Sequence, residues 1–175
     1  DRVRVSLAAR LDNGRSESST PALAGMGDVD GSLRARVSGT WKLDEGWQLG
    51  AAASIDALGR GQGTTGEISF AREQSLTPDT VWIWGGSLTF GDSTYMQSYY
   101  GVTSAQSASS GYPVYSPSTG FRDLALSIGL RSELTPEWVG FVNGGLSQSV
   151  GPLLDSPLVT QPLGWGVNAG LAWRF

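Results

Sequence analysis

The stretch that decides the fold is Trp165-Gly-Val-Asn-Ala-Gly-Leu-Ala-Trp-Arg-Phe175, at the C-terminal end of the chain. Every second residue from Trp165 to Phe175 is apolar, and the residues between them are small or polar. Because successive side chains of a β-strand point to opposite faces, a period of two indicates a strand with one apolar and one polar face.

The same alternation recurs upstream and predicts eight strands in all. They cover about residues 2–11, 33–42, 47–56, 67–71, 82–90, 123–131, 138–147 and 164–175. Three connections are tight turns, at residues 44–46, 77–79 and 135–137, and four are longer, at about residues 12–30, 59–63, 91–120 and 150–162. Long loops at one end and short turns at the other are typical of an antiparallel, up-and-down outer-membrane β-barrel.

The amino-acid composition excludes several classes of function. The chain has 175 residues, 16% of them charged against a usual share of about 25%, and it contains neither His nor Cys. Without His, the chain lacks the side chain that most often acts as a general base. Without Cys, zinc sites with Cys ligands and disulfides are excluded. A net charge of −4 argues against a nucleic-acid partner, and no apolar run is long enough for a transmembrane helix.

A soluble lipocalin-like barrel or sandwich would show the same period of two, with its apolar face inward. Two features favour the membrane. The polar faces hold small residues and opposite charges rather than a coat of Lys and Glu, and Trp residues gather beside the short turns. Because amphipathic rings prefer the headgroup level, we interpret these residues as an interfacial girdle. The predicted girdle consists of Trp41, Trp47, Trp82 and Trp138.

Four stretches carry a family resemblance that extends from about Arg2 to Phe175. The longest is Asp92-Ser-Thr-Tyr-Met-Gln-Ser-Tyr-Tyr-Gly-Val-Thr103, which continues to Tyr115. The other three are Gly25-Met-Gly-Asp-Val-Asp30, Asp155-Ser-Pro-Leu-Val159 and Gly170-Leu-Ala-Trp-Arg-Phe175. Together they resemble the MipA/OmpV family of outer-membrane proteins.

The resemblance implies a non-enzymatic scaffold or accessory protein of murein (peptidoglycan) assembly in the Gram-negative outer membrane, with no cofactor. The expected partners are a murein synthase and a lytic transglycosylase, beside outer-membrane lipid. The outer-membrane assembly machinery is a further expected partner, because the final aromatics Trp173 and Phe175 resemble the signal that it recognises. Two alternatives stay open: a small-solute or ion pore, and a surface adhesin or receptor that acts through the long loops.

The chain is expected to form a single barrel domain over residues 1–175. It begins at Asp1 without an initiator Met, which we interpret as a processed protein or a fragment. Members of the family usually carry further strands upstream, so we expect part of a barrel of about 10 to 12 strands. Closure of the eight strands into a small barrel is the alternative.

Charged residues on the predicted polar faces point into the lumen of such a barrel. If these residues pair with one another, salt bridges would fill the lumen. If they stay unpaired, they would form the wall of an anion-conducting or small-solute pore. The predicted lumen charges are Arg2, Arg4, Arg10, Arg34, Arg36, Lys42, Asp56, Glu67, Glu73, Asp123 and Glu133.

The loop at residues 91–120 contains every Tyr of the chain. Loops of this length are usually functional, so this one is expected to be a partner-contact surface, a lid over the barrel mouth, or both. Its candidate residues are Asp92, Tyr95, Met96, Tyr99, Tyr100, Gly101, Pro113 and Tyr115.

Two motifs in the loops carry weaker signals. Asp28 and Asp30 are weak candidates for a metal site, because a calcium loop needs more ligands, and no metal is assigned. The G-x-G-x-x-G match at residues 61–66 precedes a predicted strand, which indicates a glycine-rich hairpin rather than a nucleotide-binding turn.

Overall fold

The computed structural model describes residues 2–174, which form a single antiparallel sheet of eight strands. Each strand pairs with its neighbours in sequence, so the sheet runs up and down from β1 to β8. The strands are β1 Val3–Asp12, β2 Ser32–Lys42, β3 Trp47–Asp56, β4 Thr64–Thr77, β5 Thr80–Gly91, β6 Gly120–Glu133, β7 Trp138–Ser149 and β8 Leu163–Trp173. The predicted strand number and order are confirmed.

One predicted strand is much longer than expected. β4 continues through residues 72–77, where the sequence Arg-Glu-Gln-Ser-Leu-Thr shows no clear alternation. Pairing explains the extension, because Arg72 lies opposite both Trp47 of β3 and Trp84 of β5. The neighbouring strands therefore hold this segment extended although its own pattern does not.

The register places the predicted lumen charges on one face of the sheet. Opposite residues of paired strands share a face, and Arg34 lies opposite both Arg10 and Asp56. Continued across all the ladders, this alternation puts ten of the predicted lumen charges on the same polar face. The eleventh, Arg2, precedes β1 and lies beside Lys42. The backbone N–H of Lys42 donates a hydrogen bond to the carbonyl oxygen of Arg2.

The opposite face is apolar and open to the surroundings of the protein. Leu7 on β1 is 83% exposed and Trp165 on β8 is 79% exposed, and large apolar residues on the strands between them are exposed as well. Soluble monomers rarely leave an apolar patch of more than a few hundred Å² uncovered. The apolar face is therefore the lipid-facing surface of an outer-membrane β-barrel sheet. Within residues 2–174, no helix is long and apolar enough to cross a membrane.

β1 and β8 form the two edges of the sheet. Within residues 2–174, β1 pairs only with β2 and β8 only with β7. Each edge leaves a row of backbone donors and acceptors without strand partners, and in lipid such groups need a partner strand.

The tightest packing lies outside the sheet, in the long loops. These loops contain two helices, α1 Ser93–Tyr100 and α2 Ser104–Ser110, and three short 3-10 turns, Glu17–Ser19, Pro21–Leu23 and Gly151–Asp155. The fully buried apolar side chains of residues 2–174 belong to these loops: Met26, Met96, Val102 and Leu153. We call the packed loops, residues 13–31, 57–63, 92–119 and 150–162, the loop cap.

Candidate functional site

Asp92 begins α1 and ties it to the sheet. One carboxylate oxygen accepts the backbone N–H of Tyr95 at 2.8 Å, as an N-cap does, and the other accepts the backbone N–H of Thr64 at 2.8 Å. Gly63 makes this approach possible, because a Cβ there would lie 2.2 Å from the Asp92 oxygen. The positive φ of Gly63, +56°, also favours glycine.

α2 begins with a capping box formed by Thr103 and Gln106. The Thr103 hydroxyl accepts the Gln106 backbone N–H, and the Gln106 side chain accepts the Thr103 backbone N–H. Neither helix was predicted from the alternation, although Asp92 and the Thr-x-x-Gln spacing are ordinary N-terminal helix signals. These signals could have placed both helices within the long loop.

Tyr95 of α1 joins two strands across the polar face. Its ring stacks on Tyr99 with 4.7 Å between centroids. The guanidinium of Arg34 on β2 lies 5.7 Å from the Tyr95 ring, and that of Arg122 on β6 lies 5.3 Å from it. Arg122 also donates a hydrogen bond to the Tyr95 hydroxyl at 2.6 Å. α1 therefore lies over the polar face, at the long-loop end of the sheet.

The other long loops bond to the segment around α1. In each contact a side chain donates a hydrogen bond to a backbone carbonyl oxygen. The accepting position can therefore be occupied by any residue type. They are Arg15 to the Tyr99 carbonyl at 2.7 Å, Ser156 to the Tyr100 carbonyl at 2.7 Å, Ser98 to the Gly61 carbonyl at 2.6 Å, and Gln106 to the Met26 carbonyl. All four loops of the cap thus meet at the loop that carries the tyrosines.

Burial keeps two of these tyrosines protonated. It raises the pKa of Tyr99 to about 12, assisted by the nearby Asp12 carboxylate, which accepts the Tyr99 hydroxyl at 3.4 Å. The pKa of Tyr100 is also raised, mainly by burial. Both hydroxyls therefore stay protonated, and can donate hydrogen bonds, up to a higher pH than an exposed tyrosine.

Beneath α1 lies a cavity of about 340 Å³ on the polar face, which we call the arginine pocket. Its charged lining consists of Arg10, Asp12, Arg34, Arg36, Glu67 and Arg122. The structure thus brings Arg10, Arg34, Arg36 and Glu67 together out of the predicted lumen charges, and adds Asp12 and Arg122, which sequence reasoning missed. Asp12 is the last residue of β1, and Arg122 lies in a β-bulge between β5 and β6 that the alternation does not show.

The four arginines of the pocket differ in their partners. Arg36 pairs with Glu67 at 3.3 Å and Arg122 with Asp123 at 2.5 Å. Arg34 is only 5% exposed, and its guanidinium donates to neutral oxygens, including the Ser54 carbonyl at 3.1 Å. The Arg10 side chain makes no hydrogen bond or ion pair with any described residue. Two positive charges of the pocket therefore have no carboxylate partner among residues 2–174.

The short-turn end of the polar face has a different character. Its ion pairs are half-exposed or exposed: Arg131 with Glu73 at 3.2 Å, Arg174 with Glu133 at 2.8 Å, and Arg2 with Asp44 at 3.2 Å. Arg4 and Lys42 share this end and form no ion pair with a described residue. Glu73 pairs with Arg131 and Glu133 with Arg174. Neither arginine was among the predicted lumen charges.

The predicted girdle tryptophans all lie on the apolar face near the short turns. Trp41 is the second-last residue of β2, Trp47 and Trp138 begin their strands, and Trp82 is the third residue of β5. One unpredicted charge joins them: Arg72 lies on the apolar face with its guanidinium 5.3 Å from the Trp47 ring.

The remaining loop candidates occupy different environments. Met96 is fully buried and Gly101 is buried, whereas Tyr115 is half-buried and Pro113 is exposed. Of the predicted aromatic signal, Trp173 ends β8 and is 59% exposed, and Phe175 lies outside the described residues.

The two weak metal candidates lie in the first long loop. The Asp28 carboxylate accepts the Ser16 hydroxyl at 3.1 Å and the Glu17 backbone N–H at 2.8 Å, while Asp30 offers its carbonyl to Gln62. No group of three or more His, Cys, Asp or Glu side chains that could hold a metal occurs in residues 2–174. Asp28 acts here as a turn-stabilising acceptor.

Comparison with known proteins places the chain in a family. It is 26% identical over 141 residues to the "Putative outer membrane protein YiaT" of Escherichia coli K12, and equally to the protein of that name in Escherichia coli O157:H7. The match covers 77% of this chain and 54% of each relative, so the chain spans about half the length of the curated relatives it matches. The family model described as "MltA-interacting protein MipA" matches residues 1–175. Because the match extends over the whole chain, this outer-membrane protein belongs to the MipA family.

Proposed function

We propose that the protein is a non-enzymatic outer-membrane scaffold for the enzymes that build and remodel murein. The observation that carries the proposal is the match of the whole chain to a family described by its interaction with MltA, a murein enzyme. The fold supports a binding role, because strand pairing brings the three short turns together at one end of the sheet.

The short-turn end is the proposed docking surface. Outer-membrane barrels have short periplasmic turns and longer extracellular loops, and murein lies on the periplasmic side. Each short turn of this chain presents at least one exposed carboxylate. The exposed turn carboxylates are Asp44, Glu45, Asp79 and Glu137. Arg4 and Lys42 lie on the polar face behind the turns, so we expect basic side chains from a partner where it contacts the turns themselves.

The loop cap makes the pore a weaker alternative. α1 covers the polar face near the long-loop end, and Tyr95 is held there by Arg34 and Arg122. The described part of the cap also has three large exposed apolar side chains, Leu58, Val114 and Leu154, which an adhesin could use. They are scattered singly, and isolated exposed apolar residues are ordinary on protein surfaces.

The intact protein is proposed to contain further strands that close the barrel. β1 and β8 each lack a second partner strand among residues 2–174, and the chain spans about half the length of its relatives. A closed barrel would satisfy the backbone groups of both edges in lipid.

Site-specific photo-cross-linking in cells tests the scaffold and its docking surface. A photoreactive amino acid is placed at Glu45, Asp79 or Glu137 in the full-length protein, with Leu58 and Val114 of the loop cap as controls. We expect the turn positions to capture a murein synthase or a lytic transglycosylase, identified by mass spectrometry, and the cap positions to capture neither. Recovery of only assembly factors and porins from the turns would overturn the proposal.

A further inference from the structure

We propose that the arginine pocket binds a small hydroxylated phosphate monoester, such as a sugar phosphate. This inference concerns the long-loop end of the polar face and is independent of the scaffold function, which we place at the short turns.

Charge is the first argument. The lining contains four arginines against two carboxylates, and Arg36 and Glu67 neutralise each other. Asp123, outside the lining, pairs with Arg122. With Asp12 counted as well, the four arginines still exceed the carboxylates by one positive charge. Arg34 is buried and has only neutral oxygens as partners, and a buried cation without a paired carboxylate is unfavourable. A bound anion would supply the missing negative charge.

The two unpaired arginines are suited to different tasks. Arg34 is fixed, because its guanidinium donates to the Gly63 carbonyl at 3.2 Å and to the Ser54 carbonyl at 3.1 Å. It therefore supplies a buried, immobile positive charge. Arg10, directly opposite on β1, has all its donors unused by described residues. A guanidinium with free donors can bind two phosphate oxygens at once.

The rest of the lining suits hydroxyl groups. Asp12 and Glu67 offer carboxylate oxygens that accept hydrogen bonds from sugar hydroxyls, and Thr65 and Thr89 add neutral hydroxyls. The volume, about 340 Å³, lies at the small end of the range of roughly 300 to 1,000 Å³ for small-molecule pockets. A solute of monosaccharide size fits these limits.

The pocket opens at Arg10 rather than at Arg34. Arg10 is exposed, whereas Arg34 lies beneath α1 and the loop at residues 57–63. The phosphate would thus meet Arg10 first and then the fixed charge of Arg34.

Isothermal titration calorimetry on the full-length protein in detergent tests the site. The probe is glucose 6-phosphate, with glucose as the neutral control and glucuronate as the carboxylate control. We expect saturable binding of glucose 6-phosphate that weakens as salt is added, and no binding of glucose. Absence of glucose 6-phosphate binding, or equal binding of glucose, would overturn the proposal, as would a clear preference for glucuronate.

Two matched variants locate the binding. Arg10→Gln removes the free guanidinium and is expected to weaken glucose 6-phosphate binding about tenfold or more. Arg4→Gln removes another unpaired arginine from the same strand and face, but outside the pocket, and is expected to leave binding unchanged. Equal losses in both variants would indicate unspecific attraction to a basic surface and would refute the pocket.

Arg34→Gln is a harder test, because Arg34 also holds the loop at residues 57–63. We expect it to abolish binding while Asp92, which has its own contacts, keeps α1 in place. Protection of the cap from protease reports folding separately. Retained binding in a folded Arg34→Gln variant would contradict the role of the fixed charge.

Discussion

The two ends of this molecule are built on different physical principles. At the long-loop end, Met96 is fully buried and Met26 and Leu153 are each 1% exposed, so the loops pack as tightly as the interior of a soluble protein. At the short-turn end, Arg2 and Asp44 form an ion pair with each other, and their side chains are 75% and 84% exposed. Loop length does not by itself imply looseness, since the longest loop of the chain contains its best-packed residues.

The difference predicts where substitutions matter. Removing a buried side chain forfeits its transfer free energy and leaves a cavity. Breaking an exposed ion pair changes little, because water already solvates both charges. The loop cap should therefore depend on particular side chains, and the short turns on backbone geometry.

The largest effect is expected for Met96→Ala in the loop cap. Truncation of this fully buried residue should lower the stability of the cap by about 2 to 5 kcal/mol. The measurement is the rate of protease cleavage within residues 91–120 in detergent. Val114→Ala is the control, because Val114 is 57% exposed in the same loop. Equal cleavage rates for both variants would show that the cap is not held by its core.

A smaller loss is expected for Gly46→Ala at a short turn. Gly46 has φ of +78°, and a Cβ there would lie 2.0 Å from the Glu73 carbonyl oxygen. Gly59→Ala is the control: its φ is +65°, but no atom lies within 4 Å of the added Cβ. The control should cost about 1 to 2 kcal/mol for the left-handed conformation, and Gly46→Ala should cost more. Urea unfolding in detergent measures both, and equal midpoints would contradict the clash.

Alkaline pH should loosen the loop end before the sheet. Since the folded-state pKa of Tyr99 is raised to about 12, the unfolded chain releases this proton more readily than the folded one. The stability that Tyr99 contributes is complete below about pH 10 and is lost as the pH rises from there towards 12. Tyrosinate absorbance and protease cleavage should rise together over this range. Tyr99→Phe should delay the cleavage, and an unchanged profile in that variant would contradict the assignment.

The smallest effect is expected for Asp44→Asn at the short-turn end. Both partners of the Arg2–Asp44 pair are mostly exposed, so we expect no measurable change in the urea midpoint. A clear loss would mean that the turn end is held by charge pairing and that the contrast between the two ends is wrong.

Alternation in the sequence was enough to predict the sheet. The period of two is a local property, and every strand pairs with its neighbour in the chain, so strand number and order follow from the local pattern. The extension of β4 beyond Ala71 could not be predicted, because the pairing of Arg72 with Trp47 and Trp84 depends on neighbouring strands rather than on its own pattern.

The candidate site was predictable only in part. The polar-face position of Arg10, Arg34 and Arg36 follows from their phase in the alternation. Their convergence with Tyr95 and Arg122 does not, because it depends on where a long loop folds back. The bulge between β5 and β6 and the helix α1 bring those two residues to the pocket.

The order of strands in the sheet has a consequence for how the protein folds. Each strand pairs only with its neighbours in the chain, so the sheet can grow one strand at a time. The cap contacts join distant segments instead: Arg15 bonds to Tyr99 across 84 residues, and Gln106 to Met26 across 80. Because contacts between distant residues form slowly, we expect the cap to close last, as a separate kinetic phase after the hairpins have formed.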